Sequence, residues 1–90
     1  MSIIVLDIDH FKKMNDQYGH YMGDVLLQSF ATTVKSHLRE HDLFGRMGGE
    51  EFVVVLNNIS EIESQIIAER ICRAVATSKT QVAHAVLSMT

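Results

Sequence analysis

The sequence predicts an α+β domain, a mostly antiparallel sheet with helices on its faces, in the order β-α-α-β-β-α-β. Three observations predict it. The run Ile3-Ile4-Val5-Leu6 is continuously apolar and largely β-branched, a strand signal. Residues 43–47 and 52–56 read as two more strands flanking Gly48-Gly49, which is a hairpin pattern. Elsewhere the apolar residues recur at helical spacing: Leu27, Phe30, Ala31, Val34 and Leu38, then Ile62, Ile66, Ala68, Ile71 and Val75. Helices segregated against an antiparallel sheet give the layout a ferredoxin-like character.

The elements follow in order. The first strand has no polar face, so it is expected at the centre of the sheet, covered on both sides. It ends in Asp7-Ile8-Asp9. Residues 10–18 form a short helix, with Phe11, Met14 and Tyr18 on one face and Gly19 at its C-terminal end. Residues 20–23 are expected as a connector, and a longer helix is expected over residues 24–38, with Asp24 as a candidate N-cap. The hairpin is expected to turn at Gly48-Gly49 because glycine takes positive φ without steric cost. Its tip carries Glu50 and Glu51. Ser60-Glu61-Ile62-Glu63 is a capping box that opens a third helix. Residues 78–80 read as a turn and 82–89 as a last strand.

The chain has 90 residues, 47% of them apolar, enough for one small domain. A net charge of −3 disfavours passive attachment to nucleic acid or to an anionic membrane. It leaves room for an anionic nucleotide whose charge a cation neutralises. Cys72 is the only cysteine, which excludes an internal disulfide and suits a reducing, cytoplasmic setting. No apolar run approaches a membrane span. Both ends run abruptly through strand-like residues, so residues 1–90 are expected to be a single partial domain, incomplete at both ends. Unpaired strand edges make strand exchange or dimerisation an expectation for such a piece.

Chemistry concentrates in the carboxylates. Asp9 has a ready structural role as a cap for the next helix. Asp7, at the end of a buried strand, has none. A fold that brings the first strand beside the hairpin tip would bring Asp7 close to Glu50. Paired carboxylates there suit Mg²⁺, which takes oxygen ligands and keeps positions for phosphates. The scattered histidines His20, His37, His41 and His84 lack metal-ligand spacing. Phe11, Phe30 and Tyr18 read as core, and Cys72 as a small packed residue.

Gly48-Gly49-Glu50-Glu51-Phe52 resembles the signature of the GGDEF family, the diguanylate cyclases, in its GGEEF variant. A second segment also matches: Asp7-Ile8-Asp9-His10-Phe11-Lys12-Lys13-Met14-Asn15-Asp16, followed by Gly19-His20 and Gly23-Asp24. The resemblance covers essentially the whole chain and implies a nucleotidyl-cyclase-like fold. It implies condensation of two GTP into cyclic di-GMP, with release of two pyrophosphates. It also implies a homodimer in which each domain holds one GTP, and an upstream sensor domain in the parent protein, which a region outside these residues could anchor to a membrane.

By the same resemblance, Asp7, Glu50 and the carbonyl of Ile8 would hold Mg²⁺ or Mn²⁺. Asp7, Glu50 and Glu51 would form the catalytic group, with the proton acceptor left open between the two glutamates. Asn15 and Asp24 would read guanine. The backbone amides of His10 and Phe11 would hold phosphates, with Lys12 adding charge, and Gly48 and Gly49 would let the nucleotide approach the turn. Arg39-Glu40-His41-Asp42 matches the family's inhibitory product site, where Arg39 and Asp42 would bind cyclic di-GMP; without that match it reads as a charged helix end. The family's domain is longer than this chain at both ends, so the 90 residues are expected to bind GTP weakly and to turn over poorly alone. A degenerate domain that binds GTP or cyclic di-GMP only as a regulatory module is the alternative. A polymerase-palm relative and a plain dimerisation module stand further off.

Overall fold

The computed structural model describes residues 1–9, 11–76 and 82–88. Its elements are β1 (Ser2–Ile8), α1 (Phe11–Tyr18), α2 (His20–Ser36), β2 (Leu43–Arg46), β3 (Glu51–Leu56), α3 (Glu61–Val75) and β4 (Val82–Ser88). This is the predicted order of elements. The expected turn at 78–80, and Met89 at the end of the last strand, lie outside the described residues.

The strands form one antiparallel sheet in the order β2-β3-β1-β4. Strand β1 is interior, as its apolar run requires, but it is covered on one face only. Ile4, Leu6 and Ile8 are fully buried and alternate with half-buried Ile3, Val5 and Asp7. On β3 the buried set is Phe52, Val54 and Leu56. All three helices send their buried residues to that same face: Phe11 from α1, Phe30 and Val34 from α2, and Ala68, Ile71 and Val75 from α3. The continuous apolar character of β1 had pointed to cover on both sides. Among the described residues no helix lies over Ile3 and Val5.

Helix α2 begins at His20, not at Asp24. The reason is Gly19, whose φ of +88° lets one residue end α1 and redirect the chain. No connector is needed, and Asp24 falls in the second turn of α2, where it cannot be the N-cap. Gly23 therefore sits inside a helix, where glycine is ordinarily unfavourable. It is buried, and a Cβ there would collide with the Asn15 side chain of α1. The missing side chain is what lets the two helices pack together.

Helix α3 opens as the capping box predicts. The Ser60 hydroxyl accepts from the Glu63 amide at 3.1 Å. Its buried face differs from the expected one. Ile62 and Ile66 are exposed, and Ser64 is buried in their place. Ser64 Oγ donates to the Ser60 carbonyl (2.8 Å) and shares a 2.7 Å hydrogen bond with Ser2 Oγ. A satisfied hydroxyl pair is tolerated in a core where a lone one is not. Tyr18, expected in the core, is 44% exposed, whereas Phe11 and Phe30 are buried as expected. Phe30 packs on Phe52 with ring centroids 4.7 Å apart, and Phe52 stacks on Phe44 at 5.6 Å. This trio seats α2 on the hairpin that carries the two glutamates.

Candidate active site

The hairpin pairs Leu43 with Val55 and Arg46 with Phe52, so residues 47–50 form the turn. The Met47 amide donates to the Glu51 carbonyl at 2.8 Å and closes it. Neither Gly48 nor Gly49 has positive φ, contrary to the reason first given for them. A Cβ on either would meet nothing within 4 Å. The glycines leave open space above the turn rather than supplying a left-handed bend.

The β1–β3 ladder sets the backbone of Asp7 beside the glutamates of the hairpin. Asp7 stands directly opposite Glu51, and the Ile8 amide donates to the Glu50 carbonyl at 3.1 Å. The glutamate in register with Asp7 is therefore Glu51, while Glu50, in the turn, meets the next residue, Ile8. By strand alternation Asp7 lies on the sheet face away from the helices. Glu50 and Glu51 border a shallow cavity of about 380 Å³ lined also by Phe11, Lys12, Asn15 and Gly49. Six residues picked out from the sequence therefore share one cavity. Asp7, Gly48 and Asp24 do not line it. Asp24 is exposed on α2, one residue beyond the Gly23–Asn15 contact. Ile8 is fully buried and joins the site through its backbone. His10 lies outside the described residues.

Asn15 carries a polar anomaly. Its Oδ1 is buried against Gly23 without a hydrogen-bond partner. An orphaned acceptor of this kind costs about 1–3 kcal/mol, so packing alone does not account for an asparagine here.

The donor set suits a hard cation. Asp7, Glu50 and Glu51 offer only oxygen, and none is ion-paired among the described residues. No three His, Cys, Asp or Glu side chains among the described residues are gathered closely enough to hold an ion by themselves. That pattern fits Mg²⁺, which binds through one or two carboxylates and completes its shell with water and phosphate.

Arg39 and Asp42 form a second, separate locus in the loop after α2. Arg39 Nε and Nη2 donate to the two Asp42 carboxylate oxygens at 3.3 and 3.1 Å, and the Arg39 amide donates to Oδ2 at 2.8 Å. Arg39 Nη2 also donates to the Asn57 carbonyl at 2.7 Å, tying this loop to the end of β3. The Asp42 side chain is only 1% exposed. Burial pushes its carboxyl up, but the Arg39 hydrogen bonds and charge outweigh this and hold it below the ordinary carboxylate range. Arg39 Nη1 makes no hydrogen bond among the described residues, so one edge of the guanidinium still faces outward with its donors.

Arg46 escaped the sequence reading. Its Nε donates to the Gly48 carbonyl at 3.0 Å and its Nη2 to the Gly49 carbonyl at 2.6 Å. An arginine two residues before a Gly-Gly turn is the only signal that pointed to it. Cys72, expected to be a small packed residue, is half-buried and has its Sγ 3.3 Å from His84 Nδ1 on β4.

Comparison with known proteins agrees with this fold. The family model described as diguanylate cyclase, GGDEF domain, matches residues 1–90. Diguanylate cyclase A of Treponema denticola is 48% identical over 75 residues, covering 83% of this chain and 20% of that protein. The solved active GGEEF domain of a diguanylate cyclase from Vibrio cholerae superposes with a TM-score of 0.87 at 36% identity, covering 94% of this chain and 59% of that one. The GGDEF domain of DgcB from Caulobacter crescentus, solved in complex with c-di-GMP, gives 0.86 at 27% identity, covering 94% and 57%. The chain thus spans about a fifth of its curated relative's length and little over half of these solved chains.

Proposed function

The chain belongs to the GGDEF family of diguanylate cyclases, and from that membership we propose that it forms the metal- and guanine-binding half of a domain that condenses two GTP into cyclic di-GMP. The observation that carries the reading is the strand pairing that sets Asp7 opposite Glu51 and ties Glu50 to Ile8, beside the cavity holding Lys12 and Asn15.

Each residue has a role in that reaction. Asp7, Glu50 and the Ile8 carbonyl would hold Mg²⁺ or Mn²⁺. When bound, the metal supplies charge neutralisation for the triphosphate and polarises the attacking 3′-hydroxyl. The Glu50–Glu51 pair supplies the proton acceptor. Asn15, which borders the cavity, and Asp24 read guanine. The amides of His10 and Phe11 with the Lys12 ammonium hold phosphates, and Gly48 and Gly49 leave room for the sugar. Two such domains face each other as a homodimer, each bringing one GTP. Product returns to Arg39, whose outward Nη1 edge donates to a phosphate oxygen while Asp42 keeps the guanidinium in place.

The experiment is a nucleotide test on the 90-residue chain with chromatographic product analysis. GTP with Mg²⁺ is expected to bind more tightly than ATP with Mg²⁺, with only slow formation of cyclic di-GMP. Binding of GTP without product identifies the regulatory-module alternative. Equal binding of ATP and GTP removes the guanine-reading roles of Asn15 and Asp24.

A further inference from the structure

Gly48-Gly49 is the least restrained dipeptide this chain can place before its two glutamates. Glycine loses more backbone freedom on ordering than any other residue. Neither glycine occupies the left-handed region, and the turn hydrogen bond from the Gly48 amide to the Glu51 carbonyl is long, at 3.4 Å. No side chain lies within 4 Å of where their Cβ atoms would be, so packing does not select their conformation. The contacts at the two glycine carbonyls come from Arg46, at 3.0 and 2.6 Å.

We propose that Arg46 is a positioning residue: its guanidinium holds the two peptide groups ahead of Glu50 and so fixes the direction from which Glu50 and Glu51 act. This rests on the proposed metal-binding role of those glutamates. The peptide unit is planar, so fixing a carbonyl fixes the amide that follows it. Holding the Gly48 and Gly49 carbonyls therefore fixes the amides of Gly49 and Glu50, and with them the start of the Glu50 side chain. The planar guanidinium suits this task, because two of its N–H groups reach adjacent acceptors in a fixed fork. Arg46 has nothing to do with the core. Its backbone sits at the last pair of the β2–β3 ladder and its side chain is exposed. Its role is to replace, from outside, the order that the glycines leave out.

The test uses the 90-residue chain as wild type, Arg46→Met and Arg46→Lys. Amide hydrogen exchange by NMR reads Met47 and Ile8, whose amides bond to Glu51 and Glu50, with Val54 in mid-sheet as the control. Mn²⁺ affinity is read separately by electron paramagnetic resonance with the metal alone. Both variants are expected to exchange about tenfold faster at Met47 and Ile8, with Val54 unchanged, a loss on the scale of one or two hydrogen bonds. Both are expected to bind Mn²⁺ several-fold more weakly, on the order of the same loss. Unchanged exchange in Arg46→Met overturns the proposal. So does faster exchange with wild-type Mn²⁺ affinity, which would mean that the restrained turn does not matter to the glutamates. Full Mn²⁺ affinity in Arg46→Lys would assign the effect to charge alone and overturn it as well. A wild-type chain that binds no Mn²⁺ sinks the metal-site reading, and the positioning role with it, whatever the exchange rates show.

Discussion

The Arg39–Asp42 pair shows how one buried carboxylate serves the fold. Asp42 is almost wholly covered, and Arg39 holds its carboxyl below the ordinary carboxylate range. A depressed carboxylate contributes stability that is complete above its unfolded value and is lost as the pH falls through its folded value. Wild type is therefore expected to melt above Asp42→Asn across pH 5 to 7, roughly the range where carboxylates are ionised, with the gap closing below about pH 4. Thermal melts followed by circular dichroism check this. A gap that stays constant into acid would show that Asp42 acts through shape and not charge. Gly23 is the second informative residue. Alanine in a helix interior ordinarily gains about 1 kcal/mol over glycine. Here the new Cβ displaces the Asn15 side chain, and overpacking of this kind costs about 1–3 kcal/mol. Gly23→Ala is expected to leave stability unchanged or lower by up to about 2 kcal/mol, and to weaken GTP binding because Asn15 has moved. Urea titration and calorimetric GTP titration separate the two effects.

At the level of elements, what was legible in the sequence was what local chemistry decides. The β-branched run of β1, the Val-rich β3 and the Ser60 capping box each specify an element through residues adjacent in the chain, and each formed as expected. The capping box also yields a number. Ser60→Ala is expected to cost about 1 kcal/mol, as for other lost N-caps, measured by urea denaturation. What was not legible depended on contacts between elements. Gly23 looked like a loop residue because its partner, Asn15, lies on another helix. Ile62 and Ile66 sit at helical spacing, yet the face that meets the sheet is set by Ser64 bonding Ser2, 62 residues away. The register that opposes Asp7 to Glu51 joins two strands separated in the chain by α1, α2 and β2, and could not be read from either motif alone. Arg46 was missed because its side chain folds back over residues that follow it, a contact with no periodicity.

At the scale of the molecule, the sheet divides the labour. One face packs three helices into the core built on Ile4, Leu6, Ile8, Phe52, Val54 and Leu56. The ends of β1 and β3 carry the acidic corner, and the loop after α2 carries the Arg39–Asp42 locus. The aromatic trio of Phe30, Phe44 and Phe52 couples α2 to the hairpin, so the cavity between Asn15 and Glu50 rests on a packed support. The site thus belongs to the arrangement of strands and not to any one motif. Calorimetric titration of GTP into wild type and Glu50→Gln, each with and without Mg²⁺, tests this most directly. Mg²⁺ is expected to strengthen GTP binding by about tenfold or more in wild type, an effect on the scale of one charge-assisted contact, and Glu50→Gln is expected to abolish most of the gain without changing the fold. Equal GTP affinity with and without Mg²⁺ in wild type, or an undiminished metal effect in Glu50→Gln, would contradict this.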